Sequence, residues 1–226
     1  MIVVTTFPDN AWEVYAKRFL ETYTEFWQYP LHAFVDKVPD FSHPLVTFHT
    51  DFSAHPDVAW FRKTAPRDEL DYRKDAQRWV FKVIAQCEGI KFDKQMIWLD
   101  ADVVTFAKPD HEWLERTCRE HPITYLGRKG GHSETGFIMY NASYPAVVDF
   151  FTNFREEYTK KKLYGYNHWT DCHVFDRLRQ GIECLNLSPY GRSVNHVWPS
   201  TKLGDWMDHL KGNRKFIGES PERIAM

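Results

Sequence analysis

The stretch 95-QMIWLDADVVTF-106 decides how this chain is read. Apolar residues run from Met96 through Leu99 straight into two carboxylates, Asp100 and Asp102, separated only by Ala101, and the chain turns apolar again at Val103. A short apolar run of this kind is a buried strand, and the acidic pair marks its end. Two carboxylates so close repel each other unless something positive lies between them. If the chain bends at Ala101, both can reach one hard cation. Taken alone, the pair reads equally well as the acidic terminus of a strand.

Working outward, strands and helices alternate. Met1 to Phe7 reads as a buried strand, followed by a helix over 9-DNAWEVYAKRFLETYTEFW-27, whose apolar residues Trp12, Tyr15, Ala16, Phe19, Leu20, Tyr23 and Phe26 share one face; Asp9 or Asn10 is its expected cap. Short strands are expected over 31–36 and 45–49. The next helix spans 68-DELDYRKDAQRWVFKVIAQCEG-89, with Ala76, Trp79, Val80, Val83, Ile84 and Cys87 on one side and Gly89 as its stop. On its other side Lys74, Arg78 and Lys82 recur every four residues, a basic stripe that is either a solvated face or a surface that meets phosphates. After the acidic pair come a helix over 111–121, a strand over 123–127, the Gly-rich turn 128-RKGGHS-133, a strand over 134–141, helices over 144–158 and 169–180, and a strand over 182–187. Beyond Leu187 the periodicity dissolves. This alternation predicts an α/β fold, one domain over residues 1–226, with a mostly parallel central sheet covered by helices on both faces.

With 226 residues, 43% of them hydrophobic, the chain is long enough for a full core and short enough for one domain. No apolar run reaches the roughly 18 residues of a membrane span, and the start MIVVTTFPDN lacks the features of a signal peptide, so a cytoplasmic protein with no membrane span is expected. Cys87, Cys118, Cys172 and Cys184 form no C-x-x-C pair, which argues against a zinc ribbon or a disulfide framework and for free thiols. A net charge of −2 argues against a generic nucleic-acid coat but leaves room for a local basic patch.

In a sheet of this class ligands bind beyond the carboxyl ends of the strands, where Thr5, Thr6, Phe7, Asp36 and the Asp100/Asp102 pair fall. The first strand ends in TTFPDN with no glycine, which disfavours a dinucleotide fingerprint, and no P-loop is present. Near the other end, 209-HLKGNRK-215 has the form H-x-x-G-x-x-K. The His209 imidazole can complete a metal shell begun by Asp100 and Asp102, Gly212 lets backbone approach a phosphate, and Lys215 supplies positive charge to the same anion. A mixed oxygen and imidazole shell suits Mn²⁺ better than Mg²⁺.

An apolar strand running into D-x-D, with H-x-x-G-x-x-K near the C-terminus, resembles the nucleotide-sugar glycosyltransferases of the GT-A fold, most closely the retaining family that includes glycogenin and bacterial lipopolysaccharide galactosyltransferases. The resemblance implies that Asp100, Asp102 and His209 ligate the metal and that Gly212 and Lys215 hold the donor diphosphate. It aligns 169-WTDCHVFDRL-178 with a D-Q-D segment, so that Asp171 and His173 take the acidic positions and Cys172 replaces the amide, a departure that weakens the stereochemical assignment. It also makes 125-YLGRKGGHSETGFIMYN-141 the sugar and acceptor side, with Glu134 binding sugar hydroxyls or serving as a base.

The expected reaction moves a sugar from a nucleoside diphosphate sugar, with UDP the expected carrier, to a hydroxyl of a glycan, small molecule or nucleic acid. Thr5, Thr6 and Phe7 would frame the nucleobase by position, Asp100 would reach donor as well as metal, and Arg78 would join Lys215 on the phosphates. Asp171 or Glu134 would take the acceptor proton if the configuration inverts; the leaving phosphate would take it if the configuration is retained. The loops 128–133 and 162-KLYGYNHW-169 are the expected lids. Competing readings are a metal-dependent nucleotidyltransferase or phosphohydrolase, a non-catalytic nucleotide-sugar-binding module, and a transferase acting on a modified base in DNA. The last would use Arg62, Lys63, Arg67, Arg73, Lys74, Arg78, Lys82 and Lys160 to Lys162 to track phosphates.

Overall fold

The computed structural model describes residues 1–66, 68, 70–188 and 196–221. Among them the strands are β1 (Ile2–Thr6), β2 (Leu31–Phe34), β3 (Val46–His49), β4 (Gln95–Leu99), β5 (Val103–Thr105), β6 (Ile123–Leu126), β7 (Glu134–Asn141), β8 (Cys184–Asn186) and β9 (Met207–His209). The helices are α1 (Lys17–Phe26), α2 (Pro56–Thr64), α3 (Ala76–Gly89), α4 (His111–Glu120), α5 (Pro145–Thr159), α6 (Asp171–Leu178) and α7 (Arg214–Ile217). Seven strands form one sheet in the order β3-β2-β1-β4-β7-β6-β8, and β5 pairs with β9 in a small second sheet. The main sheet is mostly parallel, as expected; β7 enters antiparallel between β4 and β6.

Alternation along the strands makes two apolar layers. Ile2, Val4, Met96, Trp98, Ile138 and Tyr140 face the layer that carries α2, α3, α5 and α6. Val3, Ile97, Leu99, Phe137 and Met139 face α1, α4 and the C-terminal residues Trp198, Leu203, Trp206 and Met207. Each fully buried aliphatic or aromatic side chain in such a layer contributes about 1.5–3 kcal/mol. Gly89 closes α3 against β1: a Cβ there would lie 2.5 Å from Val4 Cγ2. Among the described residues no helix is long and apolar enough to cross a membrane, and all four cysteines are free.

Several local expectations are corrected. The first helix is not continuous from Asp9. A 3₁₀ turn over Asp9–Ala11, entered from Pro8, and a π turn over Trp12–Ala16 precede α1, whose cap position is Ala16, so neither Asp9 nor Asn10 caps it. The helix expected from Asp68 begins only at Ala76, after a 3₁₀ turn at Tyr72–Lys74, so Lys74 is not on the same helix as Arg78 and Lys82. Helix α2 was not expected; Pro56 at its first turn and the His55 side chain, accepting from Asp57 N at 3.3 Å, start it. The stretch after Leu187, read as patternless, supplies β9 and α7.

Candidate active site

Strand β4 delivers Asp100 to the edge of the sheet and the chain turns there, with Val103 N donating to Asp100 O at 3.0 Å. Strand β5 then leaves antiparallel to β9, with Val103 opposite His209, and Leu210 N donates to Asp102 O at 3.0 Å. This small sheet is why residues 107 positions apart meet: His209 Nε2 lies 2.8 Å from Asp102 Oδ1 and 3.6 Å from Asp100 Oδ2. One ligand atom from each of Asp100, Asp102 and His209 lies within 4.8 Å of the other two.

The far side of the His209 ring is equally constrained. Its Nδ1 is 3.0 Å from Glu134 Oε1, and both side chains are 1% exposed. Gly136 makes room for the ring: a Cβ there would sit 2.2 Å from His209 Nδ1. Burial holds the imidazole below its usual pKa, against the opposing pull of Asp102. A neutral ring has one N–H to give. Given to Glu134, it leaves a bare Nε2 beside two carboxylates, three acceptors that one metal ion would join, as in carboxylate–histidine–metal ligation. The residues therefore fit a divalent ion of the Mn²⁺ or Mg²⁺ type.

Cations surround these acids. Lys82 Nζ is 2.7 Å from Asp100 Oδ1 and 2.9 Å from Asp171 Oδ2, and donates to Thr135 O at 2.8 Å. Burial opposes the charge on Lys82, but Asp100 and Asp171 outweigh it and raise its pKa. Thr135 Oγ1 donates to Asp171 Oδ2 at 2.7 Å, and Trp98 Nε1 donates to Asp100 Oδ1 at 2.8 Å. Lys215 Nζ lies 2.9 Å from Asp102 Oδ2 and 4.3 Å from the centre of the Tyr15 ring. Burial raises the Asp102 carboxyl, yet His209 and Lys215 prevail and hold it well below the usual carboxylate range. Tyr15 is pushed up by burial, then by Asp102 and Asp100. Glu134 is shared by Arg128 and by Lys211, the latter at 2.8 Å.

The structure thus brings Asp100, Asp102, Asp171, Glu134, His209 and Lys215 into one constellation. Gly212 is a turn residue with φ +59°, a conformation that itself calls for glycine. Thr5 and Phe7 are buried, and Thr6 Oγ1 is committed to Phe34 O at 2.7 Å. Arg78 is exposed on α3 one turn from Lys82. The basic stripe is broken, because Lys82 is buried and Lys74 lies off the helix; of the further basic residues, Arg73 is paired with Asp71, and Lys160 and Lys162 with Glu156. Arg67 lies outside the described residues. Sequence reading missed the site roles of Lys82, Tyr15, Arg128 and Lys211. Only Lys82 left a trace, a lysine inside the apolar run 79-WVFKVIA-85.

No family model matches this chain, and no curated protein matches it in sequence. Solved structures do match. The apo structure of the bifunctional glycosyltransferase WbbM aligns over 100% of this chain and 50% of its own, with a TM-score of 0.58 and 12% identity. An active-site mutant of LgtC aligns over 94% of this chain and 88% of its own, with a TM-score of 0.57 and 10% identity. The chain has the GT-A glycosyltransferase fold. GlyE of Streptococcus pneumoniae TIGR4 aligns over 82% of this chain and 45% of its own, with a TM-score of 0.50 and 10% identity, so the GT-A unit here spans about half the length of WbbM and GlyE. In this GT-A chain the acidic pair stands at the carboxyl end of β4, on the edge of the sheet where α/β folds place their ligands.

Proposed function

We propose that this chain is a glycosyltransferase that moves a sugar from a nucleoside diphosphate sugar, a UDP-sugar by its resemblance, to a hydroxyl acceptor with retention of configuration. The observation that carries the reading is the convergence of Asp100, Asp102 and His209 within 4.8 Å on a GT-A fold, with Glu134 fixing the imidazole. A divalent ion held by these three residues would offset the charge that develops on the departing diphosphate. Lys215 is the residue of this chain best placed to meet the diphosphate beside them, and Lys82 holds Asp100 and Asp171 in register behind them.

The protonation chemistry favours retention. A general base must be free to accept a proton near neutral pH. Asp171 is buried against Lys82 and Thr135, and although burial raises its pKa, Lys82 leads the interactions that leave it lowered. Glu134 already serves Arg128, Lys211 and His209. With both carboxylates engaged as orienting groups, the leaving phosphate oxygen is the base available on the acceptor's side.

The test is thermal stabilisation by a panel of nucleoside diphosphates, each with and without Mn²⁺, on the wild type and on Asp102→Asn. At about 100 times its dissociation constant a bound nucleotide adds roughly 2.7 kcal/mol. One nucleotide should stabilise the wild type only with metal and leave the variant unmoved. If no nucleotide stabilises the wild type, LDAD is merely the acidic end of a strand.

A further inference from the structure

A second cluster of metal-binding side chains lies outside the constellation above. His132 comes from the Gly-rich loop between β6 and β7, His168 from the segment before α6, and His173 from the first turn of α6. One nitrogen of each ring lies within 4.8 Å of the other two. His132 Nε2 and His168 Nδ1 are 3.0 Å apart. The rings meet edge-on or tilted, at 84° for His132 and His173, 81° for His132 and His168 and 60° for His168 and His173, rather than stacked. His173 Nδ1 is buried with no hydrogen-bond partner. Asp176 Oδ2 stands 3.6 Å from His132 Nδ1, and that carboxylate is held in place by Ser133 N at 2.8 Å and Arg179 Nε at 2.9 Å.

We propose that His132, His168 and His173 form a transition-metal site of the Zn²⁺ class, separate from the Asp100, Asp102 and His209 site, that clamps two loops of the rim to α6. Three imidazoles with no carboxylate among the ligands suit Zn²⁺ and its neighbours rather than Mg²⁺ or Mn²⁺. Zn–N bonds of about 2.0–2.1 Å in a tetrahedral shell set nitrogen pairs about 3.3 Å apart. The His132 and His168 nitrogens are within a few tenths of an ångström of that spacing. His173, half-buried, needs only a side-chain adjustment to join them. Asp176, 3.6 Å from His132 Nδ1, is the carboxylate that would orient the metal-bound imidazole through its other nitrogen once the two close to hydrogen-bond distance. The consequence is mechanical: the loops 128–133 and 162–169 become tied to the helix whose first residue, Asp171, holds Lys82.

The experiment titrates untagged, chelator-stripped full chain with Co²⁺ and follows the visible absorption of a tetrahedral nitrogen site, then displaces it with Zn²⁺. One equivalent should bind with that absorption in the wild type and equally in Asp102→Asn. His168→Gln and His132→Gln should each abolish the absorption, and Asp176→Asn should weaken binding roughly 10- to 100-fold. The rings are half-exposed, so the metal-free variants should melt with the wild type; if one of the two does not fold, the other decides. The proposal is overturned if the wild type gives no tetrahedral absorption. It is equally overturned if the folded His variants retain that absorption, or if Asp102→Asn removes it. None of these readings depends on a nucleotide, so they stand apart from the test of glycosyl transfer.

Discussion

Replacing Lys82 by methionine separates charge from volume at the centre of the site. The side chain is 10% exposed and bridges Asp100 at 2.7 Å and Asp171 at 2.9 Å. Methionine keeps length and apolar contact, so lost packing costs under about 1.5 kcal/mol. Leaving a buried partner unpaired costs about 3–5 kcal/mol. Asp171 is 4% exposed and keeps the Thr135 hydroxyl, whereas Asp100, at 21%, retains Trp98 and access to water. The expected loss is therefore near the low end, about 3 kcal/mol. Urea unfolding followed by tryptophan fluorescence at pH 7.5 without divalent metal reads it directly; with a slope of about 2 kcal/mol per M the midpoint falls by roughly 1.5 M. The decisive comparison is Asp171→Asn in both backgrounds. In the wild type it removes a partner of Lys82 and destabilises; beside Lys82→Met it removes a stranded carboxylate and stabilises. A loss under about 1 kcal/mol for Lys82→Met, or the same cost for Asp171→Asn in both backgrounds, would refute the bridge.

Gly136→Ala should cost about 1–3 kcal/mol by overpacking and abolish metal-dependent nucleotide stabilisation, because its Cβ would fall 2.2 Å from His209 Nδ1; wild-type nucleotide response would show that the ring is not where β7 pins it. Lys215→Met should tighten Mn²⁺ binding in the absence of nucleotide, since the ammonium 2.9 Å from Asp102 competes with the ion, yet weaken nucleotide binding in its presence; calorimetric titrations that move in the same direction would contradict this. Stability should fall as pH drops below about 6.5. His32 and His49, 2.9 Å apart, are both held below the ordinary histidine pKa, His32 by burial and then by His49, and His49 by burial, so the unfolded chain takes up protons that the native chain refuses. Melting curves from pH 7.5 to 5 should show this slope in the wild type and a shallower one in His49→Gln.

The fold was legible because its signals are local. The apolar run at Met96 to Leu99, the alternation of strand and helix, and the sharp edges of β7 and α4 each depend on a few consecutive residues. What failed was local in appearance only. The first helix has the right apolar spacing, yet a 3₁₀ turn and a π turn divide its start from α1. The basic stripe counted every fourth residue across Lys74, Arg78 and Lys82, but a 3₁₀ turn interrupts the count, and Lys82 belongs to the buried face because two carboxylates from β4 and α6 reach it there. Helix periodicity ranks a lysine as polar and turns it outward; only the tertiary pairing reverses that assignment.

The site was legible for its acids and its histidine, and much less so for its cations. Asp100, Asp102 and His209 announce themselves by motif, whereas Lys82, Arg128 and Lys211 reach these acids only because α3, the loop after β6 and the segment after β9 carry them there. Those three, with Lys215, face Asp100, Asp102, Asp171 and Glu134, so the described residues of the constellation are close to electrically balanced as they stand. On the proposed reading this balance has a consequence. A divalent cation at Asp100 and Asp102 brings surplus positive charge beside Lys215, and a diphosphate is the partner that removes it. Metal and donor then favour each other's binding by the same charge arithmetic, while Lys82, locked between Asp100 and Asp171, stays in place through both steps.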